Sequence, residues 1–159
     1  MLVATKSTTM ASRRRFLFRL LFAIYVMSTT VLGYNPGTSW RNNYAFAALK
    51  EDGTVAAWGD SDFGGSGVPS GLSGVKTIYS TGSAFAALKE DGTVAAWGSS
   101  SYGGSGVLSG LSGVQAIYSN YGAFAALKED GTVAAWGRSD KGGDGVPEGL
   151  SGVKTIYST

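Results

Sequence analysis

The chain has 159 residues, a formal net charge of +2, no cysteine and no histidine. That is the length of a single domain; disulfides and thiolate metal sites are excluded, and the commonest general base and metal ligand near neutral pH is missing. The charge is uneven: residues 1–50 hold seven Lys/Arg and no acid, while the remainder sets six basic groups against eleven acidic ones, a net of −5. A mildly acidic body is a poor match for phosphate backbones, so no nucleic acid is expected among the partners.

At the N-terminal end, Arg13-Arg14-Arg15 precede the apolar run Phe16–Leu32, interrupted by Arg19. A basic stretch before an apolar helix of this length reads as a secretory signal peptide, with Val31 and Gly33 small enough for a cleavage site before Tyr34. Met1 and Met10 are both candidate starts. A second reading is an uncleaved signal-anchor, since residues 16–33 approach the length of a membrane span and Arg19 can snorkel. A third is an organelle transit peptide. The chain is therefore expected to be secreted or membrane-anchored through residues 1–33, with organelle targeting as the alternative. Residues 34–44 read as a linker and partial strand, marked by Asn35-Pro36-Gly37.

Everything beyond is a repeat. AFAALKEDGTVAAWG at Ala45–Gly59 returns letter for letter at Ala84–Gly98 and Ala123–Gly137, a period of 39 residues. Periods of this size mean solenoids, propellers or arrays. The repeats run 45–83, 84–122 and 123–159. In each, an Asp-Gly pair (Asp52-Gly53 in the first) separates two apolar runs, which predicts a hairpin with a two-residue type I′ turn. Centred there, the register sets Leu49 opposite Ala56, Ala47 opposite Trp58 and Phe46 opposite Gly59. Both faces are then apolar and alanine-rich, as in a sheet packed between neighbouring sheets. A third strand is expected at Val75–Ser80, Val114–Ser119 and Val153–Ser158, after a Gly/Ser-rich connection. A small antiparallel sheet repeated at this spacing reads as a propeller blade, with a stacked β-solenoid as the alternative.

The D-G-x-V-x-x-W-G segment, followed by a Gly-rich loop and G-V-x-x-I, resembles the regulator of chromosome condensation repeat. Within that superfamily, WGDSDFGGSGVPSGLSGV is most similar in style to the bacterial propellers that inhibit β-lactamase. The resemblance covers Trp40 to Thr159. It implies an all-β propeller used as a protein-binding platform rather than an enzyme. Ser83-Ala84 and Gly64-Gly65-Ser66 stand where the family carries a His and a Gln, and three units stand where the family has seven.

Candidate sites are few. The acid pairs Glu51-Asp52, Glu90-Asp91 and Glu129-Asp130 are explained by turn chemistry. Asp60-Ser61-Asp62 offers too few oxygen ligands for Ca²⁺, and Gly64-Gly65-Ser66-Gly67 precedes no helix that would cradle a phosphate. No metal or other cofactor is expected. Trp58, Trp97 and Trp136 fit packing between blades better than sugar stacking. No nucleophile–base pair is visible, so no enzyme is expected.

The units differ mainly in two loops: Asp60–Phe63, Ser99–Tyr102 and Arg138–Lys141 after the Trp-Gly, and Asn42–Tyr44, Thr81–Ser83 and Asn120–Gly122 before each hairpin. In an up-down-up sheet both leave at the end opposite the Asp-Gly turn. A protein-binding face is expected there, built from Tyr44, Asp60, Asp62, Phe63, Ser99, Tyr102, Tyr121, Arg138, Asp140 and Lys141. A lectin-like propeller and a fragment of a longer array without its own ligand are the alternatives. Three blades do not close a ring, so either homodimerisation into a six-bladed ring or a longer array is expected.

Overall fold

The computed structural model of the chain describes residues 40–158. The basic and apolar segment 1–33, expected as an N-terminal helix, and residues 34–39 of the linker lie outside the described residues. Among the described residues the fold is all-β, with three short 3-10 turns and no helix long and apolar enough to cross a membrane.

Eight strands make three antiparallel sheets. β1 (Ala45–Leu49) pairs with β2 (Val55–Gly59); β3 (Val75–Ser80), β4 (Ala84–Lys89) and β5 (Val94–Gly98) form the second sheet; β6 (Val114–Ser119), β7 (Ala123–Lys128) and β8 (Val133–Gly137) form the third. The sheets are propeller-type blades, but they are out of phase with the sequence period. β3 pairs with the hairpin that follows it, not with the one before. The cause is chain connectivity: residues 81–83 alone join β3 to β4, whereas residues 60–74 separate β2 from β3, and short closures come first.

This phase explains a correction at each end. Val153–Ser158, expected as a third strand, is not a strand here. Among the described residues it pairs with no hairpin, although Val153 N still donates to Gly131 O at 3.0 Å. At the other end, β1 and β2 lack an inner strand among the described residues.

The hairpin register is also corrected, by one residue. The loop is Glu51-Asp52-Gly53: Gly53 N donates to Lys50 O (3.0 Å) and Lys50 N to Thr54 O (2.9 Å). Gly53 takes φ +74, the left-handed residue that ends a type I turn in a three-residue hairpin loop. Asp52 Oδ1 accepts from Thr54 N (2.9 Å) and Thr54 Oγ1 (2.6 Å), and Asp91–Thr93 and Asp130–Thr132 repeat the arrangement. Phe46 therefore lies opposite Trp58, Ala47 opposite Ala57 and Leu49 opposite Val55.

With that register each blade carries a Phe–Trp stack on one face: Phe46–Trp58 at 5.4 Å, Phe85–Trp97 at 5.4 Å and Phe124–Trp136 at 5.2 Å between ring centroids. The second and third stacks are buried against the blade before. Phe85, Ala87 and Trp97 pack with Ala45 and Val75; Phe124, Ala126 and Trp136 pack with Ala84, Ala86 and Leu88. The alanines are what let the sheets approach: Ala84, Ala86, Ala87 and Ala126 have no exposed surface. Phe46 and Trp58 have no blade before them among the described residues and remain 63% and 52% exposed.

Each buried Trp also reads the loop of the previous blade. Trp97 Nε1 donates to Gly64 O and Trp136 Nε1 to Gly103 O, both at 3.1 Å. Gly103 sits at φ +89, and a Cβ there would meet Phe124 Cδ2 at 2.7 Å. Gly106, at φ +83, has nothing near its missing Cβ. Both alanine substitutions strain the backbone by about 1 kcal/mol, but Gly103→Ala adds a clash worth ~1–3 kcal/mol. Urea unfolding is expected to rank Gly103→Ala clearly below Gly106→Ala; equal losses would refute the interlock.

The turn aspartates make a pH prediction. Hydrogen bonds from Thr132, and from Lys128, hold Asp130 down to about 2; those from Thr54 and Thr93 lower Asp52 and Asp91. A carboxyl whose folded value is depressed adds stability above its unfolded value, and that stability is lost as pH falls through the folded value. The urea midpoint should decline between about pH 4 and pH 2, and the decline should shrink in the Thr54→Val/Thr93→Val/Thr132→Val triple variant. An unchanged slope in that variant would remove the assignment.

Candidate protein-binding face

β4 and β5 meet at the Asp-Gly turn, so β3 ends and β5 leaves at the opposite end of the blade. The two variable loops are thus neighbours, and a polar clamp ties them together. Asn42 Nδ2 donates to Phe63 O (2.7 Å), Thr81 Oγ1 to Tyr102 O (3.0 Å) and Asn120 Nδ2 to Lys141 O (2.7 Å). The other atom of each asparagine side chain caps the turn into the hairpin: Asn42 Oδ1 accepts from Tyr44 N and Ala45 N, and Asn120 Oδ1 from Gly122 N and Ala123 N. These positions fall within the variable stretches Asn42–Tyr44, Thr81–Ser83 and Asn120–Gly122. Their shared property, a short side chain with both donor and acceptor capacity (amide or hydroxyl), was the signal that marks a clamp.

Above the clamps the expected residues fall into two groups. Tyr44 and Phe63 make one, with ring centroids 4.3 Å apart. Asp60 supports it by capping the 3-10 turn Ser61–Phe63, accepting from Asp62 N at 2.9 Å. Asp60 therefore spends one oxygen on its own loop, and Asp62 is exposed beside it. Ser99 opens the equivalent turn Ser100–Tyr102 and makes no capping bond.

The second group spans the last two blades. Tyr102 and Tyr121 meet edge to face at 5.4 Å, with their hydroxyls 3.5 Å apart, and Trp40 packs edge-on against Tyr121 at 5.9 Å. Arg138 lies over the Tyr102 ring, 5.3 Å from its centroid, and donates from Nη1 to the Tyr102 hydroxyl at 3.2 Å. Its remaining donors clamp Asp140 through two bonds of 2.9 Å, and Lys141 stands 3.8 Å from the same carboxylate. The hydrogen bonds with Tyr121 and Arg138 lower the Tyr102 phenol, while Tyr121 is raised by its bond to Tyr102. Asp140 is lowered and Arg138 raised by their mutual bonds. Trp40 was not among the expected residues; its exposed ring and its neighbour Tyr121 add it to the face.

The result is three exposed rings, Trp40, Tyr44 and Tyr121, set against the half-buried Phe63 and Tyr102, with a pre-positioned guanidinium, on loops held to a rigid scaffold. It offers contact area and directional donors, and no acid–base pair or nucleophile beside a base. Among the described residues no group of three acidic side chains is placed to hold a metal ion. The tryptophans do not serve as sugar platforms in the second and third blades, where Trp97 and Trp136 are buried.

Solved structures share this architecture. Prp20p of Saccharomyces cerevisiae, described for its binding to Gsp1p and histones, superposes at a TM-score of 0.50 with 21% identity, over 70% of this chain and 32% of its own. Yeast RCC1 (Prp20) in its complex with Kap60 gives 0.51 with 23% identity, over 70% and 31%. The fold is an RCC1-like repeat fold. The chain spans about a third of those RCC1 chains. No protein-family model and no curated protein matches the sequence.

The clamp makes a prediction. Asn120→Ala removes one bond to Lys141 O and two capping bonds, and is expected to cost about 1–2 kcal/mol. Amide exchange should quicken at Gly122, Ala123 and Arg138 while β4 and β5 keep their protection. Uniform loss across all blades, or none, would count against a local clamp.

Proposed function

We propose that the chain is a non-enzymatic protein-interaction module, and that it binds a protein partner through the variable loops at one end of its blades. The observation that carries this is the Tyr102–Tyr121–Arg138 cluster with Trp40. Tyr, Trp and Arg dominate the energetics of protein interfaces, and here they are ordered before any partner arrives. The ring contacts and the Asp140 clamp reduce the side-chain entropy lost on binding. The Tyr44–Phe63 pair extends the same end toward the first blade. The RCC1 neighbours, whose structures concern binding to Gsp1p, histones and Kap60, support a protein partner as the general class.

The partner is to be captured by photo-crosslinking from a probe placed at Ser101, at the edge of the cluster, and its affinity then measured by titration. Alanine at Tyr102, Tyr121 or Arg138 should weaken binding at least tenfold each, about 1.4 kcal/mol or more. Alanine at Glu51, Glu90 or Glu129, at the opposite end, should leave it within twofold. Binding that is insensitive to the three loop variants would end the proposal.

A further inference from the structure

Two edges of the molecule carry each other's match. Val153–Ser158 reads VKTIYS, identical to β3; β1 with its next residue reads AFAALK, identical to β4. β3 and β4 pair in a defined register, with Thr77 opposite Leu88, Ile78 opposite Ala87 and Tyr79 opposite Ala86. So the structure already contains the sheet that Val153–Ser158 and β1–β2 would make, but it leaves these two pieces at opposite ends of the array.

Both pieces are also in position. Val153 N donates to Gly131 O at 3.0 Å, as Val75 N does to Gly53 O and Val114 N to Gly92 O. Ser158 Oγ donates to Ser119 O at 2.8 Å, as Ser119 Oγ does to Ser80 O. The segment thus lies where an inner strand lies, while Tyr157 is 87% exposed against 6% for Tyr79. On the hairpin side, Leu49 is 40% exposed against 2% for Leu88. The loop seat is open as well: a Cβ at Gly64 or Gly103 would meet the Phe of the next blade, whereas one at Gly142 meets nothing.

We propose that Val153–Ser158 of one copy of this chain adds as the inner strand to the β1–β2 hairpin of a second copy, and that two copies exchange this strand reciprocally. Thr155 then faces Leu49, Ile156 faces Ala48 and Tyr157 faces Ala47 across the chains. The Phe46–Trp58 stack packs on the third blade of the other copy, and Trp58 Nε1 donates to the Gly142 carbonyl, as Trp97 and Trp136 do to Gly64 and Gly103. Each copy supplies two complete blades and half of two composite ones, so the pair closes a ring of six under two-fold symmetry, which leaves no open end. A second copy is the occupant because each edge finds its matching sequence, in a pairing already formed, on the opposite end of the same chain. The proposal does not depend on the loop face.

The test uses the full 159-residue chain in mild non-ionic detergent, which keeps the apolar run of residues 16–33 in solution. The chain has no native cysteine, so Leu49→Cys and Thr155→Cys give clean cross-linking. Oxidising a mixture of the two single variants should give a reducible covalent dimer, and neither variant alone should. Light scattering corrected for bound detergent should give twice the 16.4 kDa of one chain. Ile156→Pro, at a position that belongs to no strand of the single copy, should give a monomer with the far-UV spectrum of the three sheets intact. A monomeric parent chain, a light-scattering mass above twice that of one chain, or equal cross-linking by a single variant would each overturn the proposal. Tyr102→Ala should leave the dimer unchanged, which separates this outcome from that of the loop-face binding test.

Discussion

Trp97 and Trp136 each donate an indole N–H to a glycine carbonyl in the loop that leaves the blade before, at 3.1 Å and out of contact with water. That bond sets the spacing of the blades, because the ring that carries it is stacked on a Phe of its own sheet and pressed against the alanine face of the previous one. The glycines belong to the same device. Only a residue without Cβ leaves room for the Phe ring at Gly64 and Gly103, and only such a residue readily takes the left-handed φ that turns the carbonyl toward the indole. Take away the indole, the ring or the glycine, and the blade loses its fixed distance from its neighbour.

The period, the all-β class, the hairpins and the two-sided burial of β4 and β7 were legible in the sequence, because a letter-for-letter repeat exposes its own turn and apolar runs. The register was not. Asp-Gly suggested a two-residue turn, while Glu51-Asp52-Gly53 forms a three-residue loop in which Thr54 answers Asp52. One residue of slip exchanges every face, and so it moved Trp58 from an alanine to Phe46 and produced the stack on which packing rests. The phase of the blade was equally hidden. Repetition shows that units recur but not where a unit starts, and only connection length distinguishes β3 with β4 from β3 with β2.

The loops divide structure from recognition more finely than their variability suggested. Asn42, Thr81 and Asn120 differ in type, yet each bonds the carbonyl that ends the neighbouring 3-10 turn. They vary within a narrow chemistry because their task is to hold. The residues that follow, Asn43-Tyr44, Gly82-Ser83 and Tyr121-Gly122, vary without such a limit, and in two of the three units they add an aromatic ring to the surface. Rings at this end pair with the residue that ends the 3-10 turn, Phe63 or Tyr102. Where Lys141 takes that place, Arg138 reaches across to Tyr102. The charge of the third unit thus serves to orient an aromatic of the second.

Identical units carry a further consequence for how strands choose partners. Strand β3 and the segment Val153–Ser158 have the same sequence, and all three hairpins share theirs. Side-chain complementarity therefore does not distinguish one pairing from another; the energy of any inner strand on any hairpin is nearly the same. What selects β3 for β4 and β6 for β7 is the three-residue connection of residues 81–83 and 120–122, a purely entropic preference for the nearest hairpin. Val153–Ser158 meets no such nearest hairpin among the described residues, and β1 meets no such nearest strand. The same degeneracy that leaves pairing to the connections inside the chain means that an incoming strand or hairpin of this sequence needs no new complementarity to be accepted. Its affinity is set by how well its edge is pre-positioned, and Val153 and Ser158 already bond the third blade where Val114 and Ser119 bond the second.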